Sequence, residues 1–291
     1  MIFETGDSLC RLHRPGESMD EGGRMKSLET VTFEQKDGVG WIRMNRPKEL
    51  NAFNIAMGKN LCTAANHCGA EKSIRAVVLT GTGSAFCAGG DVQEMNRHLQ
   101  EEGRADLFLR ELTVLLHSFV AEIVRMRKPV VAAVNGTAAG AGMSMSLACD
   151  LGLAVEGCRF VLAYTNVGLV PDGGSSTLLT RLVGYRKAIE IAYLNEPIDS
   201  SEALRLGLVN RVFPAETFEE EVSKIASKLV QGPTATYGRT RNLMRLGLIE
   251  SLESQMENER QGLITSALSE EFREGVTAFV GKKKPDFPSV G

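Results

Sequence analysis

A chain of 291 residues with 43% hydrophobic and 24% charged side chains has the composition of a globular protein with a sizeable core. Its net charge of −3 argues against a general nucleic-acid or polyanion binder, and its one basic run, Lys282-Lys283-Lys284, reads as a solvated patch. Six cysteines without CxxC pairing and four histidines without HxxxH spacing argue against a disulfide framework and a zinc site, so a reducing, cytoplasmic setting and no metal are expected.

Residues 1–24 carry Gly, Arg, Asp and Glu without periodicity and are expected to be a disordered extension, with Met25 as an alternative start. Strands are predicted over 31–35 and 41–44 around an Asp37-Gly38 turn, followed by a helix over 55–68. RAVVLT, residues 75–80, reads as a buried strand. Residues 106–127 repeat apolar side chains at helical spacing until Pro129 stops them. The most apolar stretch, 130–155, is interrupted by Asn135, Gly136, Gly140, Gly142 and Asp150. It therefore reads as a buried strand and a small-residue helix, not a membrane span. Strands over 151–155 and 160–163, helices over 175–183 and 186–194, and a short strand at 209–212 complete a core over 25–215. Residues 216–291 read as helical to about 280, with a break at Gly232-Pro233. The alternation places the core in the α/β class, with strands covered by helices, and does not distinguish an open sheet from a spiral.

Two of the buried strands run into loops of small residues that lead to helices. The first is Ala85-Phe86-Cys87-Ala88-Gly89-Gly90-Asp91; the second is Asn135-Gly136-Thr137-Ala138-Ala139-Gly140-Ala141-Gly142. Small side chains allow close backbone approach, and amides at a helix start lack intrahelical acceptors. Two such loops side by side can aim two N–H groups at one oxygen; tight helix–strand packing explains either loop alone. Neither loop fits a phosphate cradle, since no GxGxxG follows a strand and GxxxxGK[ST] is absent. A third segment, GLVPDGGSS at 168–176, places Asp172 between a proline and two glycines. By itself it is a turn signal.

AFCAGGD, KPVVAAVNGTAAGAGMSMSLACD, GLVPDGG and EALRLGLVNRV, in this order and spacing, resemble the enoyl-CoA hydratase/isomerase (crotonase) superfamily. The likeness runs from about Val31 to AFVGKKKPDF. It implies a spiral of ββα turns, a helical C-terminal trimerisation region, and a trimer or dimer of trimers. It also implies an acyl-CoA thioester substrate, with coenzyme A present only as part of that substrate and no permanently bound cofactor. On this sequence the carbonyl-binding amides fall at Gly90 and Ala141, with Ala88, Asp91 and Tyr164 beside the substrate. The family's C-terminal helix makes Phe279 and Lys282 candidates for coenzyme A contacts in a neighbouring subunit.

Family hydratases hold a water between two glutamates, and the corresponding positions here are Ser144 and Tyr164. Neither supplies a carboxylate base. In 1,2-epoxyphenylacetyl-CoA isomerases and related enoyl-CoA isomerases an acidic residue in a PD-x-GG turn is the single base, so the resemblance gives that role to Asp172. The resulting expectation is double-bond migration by one aspartate. The alternatives are hydration and the chemistry of 4-chlorobenzoyl-CoA dehalogenases, in which an aspartate at this place attacks an aryl ring, aided by a His and a Trp. His117 matches the first helper, but the Trp position is Tyr164. A non-catalytic binding or assembly module is the remaining alternative, disfavoured by the acidic net charge.

Overall fold

The computed structural model describes Met25 and residues 28–291; the expected extension over 1–24 lies outside the described residues. The chain opens with the antiparallel hairpin β1 (Val31–Lys36) and β2 (Val39–Met44), turned by Asp37 and Gly38, both at positive φ. Then follow α1 (Ile55–Ala70), β3 (Ala76–Gly81), β4 (Ala85–Cys87), α2 (Val92–Glu102) and α3 (Asp106–Arg125). Next come β5 (Val130–Val134), β6 (Thr137–Ala139), α4 (Ala141–Ala148), β7 (Leu151–Val155) and β8 (Arg159–Val161). A 3-10 turn, Tyr164–Val167, leads into α5 (Ser175–Val183) and α6 (Tyr185–Leu194). The rest is β9 (Ile198–Asp199), α7 (Ser200–Arg205), β10 (Arg211–Phe213), α8 (Phe218–Val230), α9 (Thr234–Leu246), α10 (Leu252–Ala267) and α11 (Glu270–Val280).

These strands make two sheets. The larger has the order β1-β2-β3-β5-β7-β10 and is parallel from β2 onward; the smaller has the order β4-β6-β8-β9. Each turn of the chain gives one strand to the large sheet, one to the small sheet, and then helix: β3-β4-α2, β5-β6-α4, β7-β8-α5. The architecture is thus the spiral of ββα turns.

Side-chain alternation explains why the large sheet reads as unbroken apolar runs. Ile42, Val77, Leu79, Val130, Ala132 and Val134 face the main core with α1 and α3, whereas Trp41, Val78, Val131, Ala133 and Leu153 face the opposite side. There Phe218, Val222, Ala226 and Val230 of α8 cover them. Both faces of a parallel sheet are buried, so the two-residue alternation of polarity disappears.

Five elements depart from the sequence expectation. β4 and β6 are three-residue strands inside the small-residue loops, too short to carry an alternation. α2 has a largely polar surface with no buried residue, and α7 is six residues long. The strand expected over 160–163 ends at Val161, because Ala163 takes a left-handed φ of 63° and starts the 3-10 turn.

Candidate active site

The two small-residue loops lie backbone to backbone. A Cβ on Gly142 would stand 2.3 Å from the Cys87 carbonyl oxygen, and one on Gly89 would stand 3.2 Å from the Ala139 carbonyl oxygen. Only glycine at 142 lets the first turn of α4 press against β4. Gly90 forms a parallel bridge with Phe53 in which Phe53 N–H donates to the Gly89 carbonyl (2.7 Å) and Asp91 N–H donates to the Phe53 carbonyl (3.0 Å). The bridge therefore uses the amides on either side and directs Gly90 N–H away from Phe53. Ala141 is the first residue of α4, so its N–H has no acceptor within the helix. The same close approach realises the packing reading of these loops and sets the Gly89-Gly90 and Gly140-Ala141 segments side by side, as the paired-donor reading requires.

Gly90 and Ala141 line a cavity of about 440 Å³ together with Ala88, Tyr164 and Asp172. Its other walls are mostly apolar: Val92 and Met95 from α2, Leu109, Leu112 and Leu116 from α3, and Val167, Leu169 and Val170 from the turn beyond β8. Asp172 is the one carboxylate among the described lining residues. A larger cavity, about 830 Å³, lies between the end of α3 and α9. Four of its lining arginines, Arg75, Arg239, Arg241 and Arg245, are engaged structurally. Arg241 donates to the carbonyls of Ile123 and Lys128 and pairs with Asp150, and Arg75 donates to the carbonyls of Val230 and Gly232.

The turn carrying Asp172 is fixed by hydrogen bonds. Its carbonyl accepts from Ser175 N–H (3.1 Å), Ser175 Oγ (2.8 Å) and Ser144 Oγ (3.0 Å). Gly173, at φ 59°, lies so close to Ser144 that an added Cβ would sit 2.8 Å from the serine Cβ. Gly173 N–H donates to His117 Nε2 at 3.2 Å, so this imidazole nitrogen is an acceptor. Tyr164 Oη–H donates to Asp172 Oδ1 at 2.5 Å, and Ser144 Oγ lies 3.0 Å from the same phenol oxygen. Burial pushes the Asp172 carboxyl above the usual range, against the opposing pull of the Tyr164 hydrogen bond. Burial and the adjacent carboxylate both push the Tyr164 phenol up, so it remains protonated. Cys87, at the foot of the first loop, is also pushed up, to about 12, by burial and is no nucleophile at neutral pH.

Tyr164 owes its place to Asn195. The Asn195 side chain accepts from Ala163 N–H (2.7 Å) and donates to Thr165 Oγ1, holding the left-handed Ala163 that starts the 3-10 turn. The sequence reading missed Asn195, whose visible signal was only that of a helix cap after α6. It also took Ser144 only as an absent glutamate, and Tyr164 as an absent glutamate beside the substrate. They are instead the polar neighbours of the Asp172 carboxylate and its turn.

Three sequence candidates lie outside the cavity of this chain. Asp91 caps α2 through Glu94 N–H (3.2 Å) and pairs with Arg46 at 2.9 Å, which accounts for a carboxylate only 7% exposed. Phe279, on α11, is 85% exposed, and Lys282 follows that helix with a φ of 52°. Among the described residues there is no cluster of His, Cys, Asp and Glu suited to a metal ion, and no helix is long and apolar enough to cross a membrane.

The spiral of two sheets, with its two small-residue loops beside a mostly apolar cavity, has the architecture of the crotonase fold. The sequence profile of the enoyl-CoA hydratase/isomerase family matches residues 34–289. A 4-chlorobenzoyl coenzyme A dehalogenase from Arthrobacter sp. is 36% identical over 87% of this chain and 91% of its own. A 1,2-epoxyphenylacetyl-CoA isomerase from Escherichia coli is 31% identical over 89% of this chain and 98% of its own. The crystal structure of an enoyl-CoA hydratase from Polaromonas sp. JS666 superposes with a TM-score of 0.83 at 31% identity, covering 88% of this chain and 98% of that one. The chain belongs to the enoyl-CoA hydratase/isomerase (crotonase) family, whose members process acyl-CoA thioesters.

Proposed function

We propose that this protein is an enoyl-CoA isomerase that moves a double bond through a thioester enolate, with Asp172 as its base. The observation that carries this reading is the single carboxylate facing the cavity, raised by burial toward the range useful to a base. An ordinary aspartate, with a pKa of about 3.9, is a weak base. In this reading the thioester carbonyl sits between Gly90 N–H and Ala141 N–H, which stabilise the enolate oxygen as charge develops. Ala88 and the apolar side chains of α2 and α3 flank the thioester arm and acyl group.

Ser144 and Tyr164 place hydroxyls where a two-glutamate hydratase needs carboxylates. That supports isomerisation over water addition, since an isomerase needs only to remove a proton at one carbon and restore one at another. Self-association would complete the coenzyme A site through Phe279 and Lys282 of a neighbouring subunit. The exposed apolar side chains on and between α10 and α11, including Leu263, Leu268, Phe279 and Val280, support it.

A dehalogenase-like reaction is the second reading, favoured by the 36% identity to the Arthrobacter enzyme and by His117 beside the Asp172 turn. Against it, His117 Nε2 is occupied by Gly173 N–H and Tyr164 replaces the Trp. Incubation with 2-enoyl-, 3-enoyl- and aryl-CoA thioesters in heavy water separates the possibilities by product mass. Isomerisation gives a product of unchanged connectivity in which the double bond has moved. Hydration of 2-enoyl-CoA on the order of 10² per second or faster, or an aryl adduct on Asp172, sinks the isomerase reading.

A further inference from the structure

We propose that Tyr164 is a second proton-transfer group, returning a proton to substrate while Asp172 removes one. This inference rests on the isomerase reading. Asp172 and Tyr164 both line the cavity, and their oxygens are 2.5 Å apart. The carbons α and γ to a thioester carbonyl are also about 2.5 Å apart by ordinary bond lengths and angles. Asp172 Oδ1 is engaged by the phenol, which leaves Oδ2 as the oxygen free for substrate among the described contacts. A carboxylate with one free oxygen has to swing to serve two carbons; a carboxylate paired with a phenol does not. The tyrosine ring end also stands about 4.0 Å from a Cβ position on Gly140, next to the Ala141 amide. The hydroxyl is therefore on the side of the cavity where the thioester carbonyl is proposed to bind.

The step balances without a proton from solvent. Asp172 Oδ2 takes the α-proton of a 3-enoyl thioester, and the C–H electron pair enters a dienolate whose oxygen faces Gly90 and Ala141. The Tyr164 O–H bond breaks as its proton joins the γ-carbon, its electron pair stays on the phenolate, and the double bond moves to the 2-position. After both transfers the Asp172 carboxyl turns to present its protonated Oδ2 to the phenolate, and that proton passes to the phenolate oxygen, restoring carboxylate and phenol. Ser144 Oγ, 3.0 Å from the phenol oxygen, supports the transient phenolate by turning its proton away from the Gly140 or Asp172 carbonyl.

The test uses the full chain and its Tyr164→Phe variant, each checked for an unchanged melting curve. Wild-type enzyme in excess over 3-enoyl-CoA deuterated at the α-carbon should give a product with no deuterium at the γ-carbon. Tyr164→Phe should lose isomerisation by at least about 10² while exchange of the α-proton with solvent stays within about tenfold. Ser144→Ala should slow isomerisation roughly tenfold, the scale of one hydrogen bond. Deuterium carried to the γ-carbon overturns the proposal in favour of a single-carboxylate shuttle. Equal losses of exchange and isomerisation in Tyr164→Phe overturn it in favour of a purely positioning role, and full retention of both rejects any role. A wild type with no isomerisation on any 3-enoyl thioester defeats the underlying reading and this proposal together, before any variant is compared.

Discussion

The two walls of the cavity are built from different material. One wall, formed by Gly90 and Ala141, offers main-chain amides whose positions follow from sheet pairing and from Gly142 pressed against Cys87. The adjoining wall, formed by Tyr164 and Asp172 with Ser144 behind them, is made of side chains tied to one another, on backbone that His117 and Asn195 hold at Gly173 and Ala163. A main-chain wall tolerates sequence change because any small residue supplies the same N–H. A side-chain wall changes its chemistry with one substitution. The family contains proteins named as hydratase, isomerase and dehalogenase on one fold, as expected if the first wall is common and the second selects the reaction.

The largest expected effect comes from breaking the side-chain wall. Asp172→Asn keeps the turn and the capacity to accept from Tyr164 but removes the base. Turnover should fall by about 10²–10⁴, measured on 3-enoyl-CoA. Stability should move the other way. A folded carboxyl held above its unfolded pKa contributes stability that is present below the unfolded value and lost as pH rises through the folded one. At neutral pH the ionised, partly buried carboxylate is therefore a cost. The Asn variant should melt higher than wild type there, and the advantage should vanish in acid. A lower melting temperature at pH 7 would mean that the Tyr164 hydrogen bond outweighs desolvation.

Breaking the main-chain wall should cost somewhat less. Ala141→Pro removes one N–H at a first helical position, where proline is tolerated, and turnover should fall by about 10²–10³ with little change in melting temperature. Near-wild-type turnover in a folded Ala141→Pro protein places the oxyanion site elsewhere. Gly173→Ala sharpens the comparison because it disturbs only the side-chain wall. The positive φ and the approach to Ser144 should cost about 1–3 kcal/mol in denaturant unfolding. The smallest effect is a shift without loss: the acid limb of kcat/KM should lie above the ordinary aspartate range, because burial raises the Asp172 carboxyl.

The main-chain wall was legible in sequence because its requirements are steric. Gly89-Gly90 and Gly140-Ala141-Gly142 stand out after apolar strands, and nothing larger than hydrogen fits at Gly142. The spiral was legible only through the resemblance, since β4 and β6 are too short to alternate and the second sheet that defines the spiral depends on them. Asp172 was legible as a turn and, through the resemblance, as a base. Its partners were not. Ser144 lies 28 residues from Asp172, and Asn195 lies 32 from Ala163, so no local pattern connects them. Asp91, placed beside the substrate only by the resemblance, shows the same limit: its ion pair with Arg46, 45 positions earlier, has no local signal in the sequence.

Solvent exchange at the α-carbon of a bound acyl-CoA tests the central claim most directly, because it reads proton abstraction without requiring product. In heavy water, wild-type protein should introduce deuterium at that carbon and move the double bond of a 3-enoyl thioester. Asp172→Asn should bind the thioester with similar affinity and show neither. Deuterium incorporation by the Asn variant at the wild-type rate would contradict Asp172 as the base and leave the segment at 168–176 as a turn.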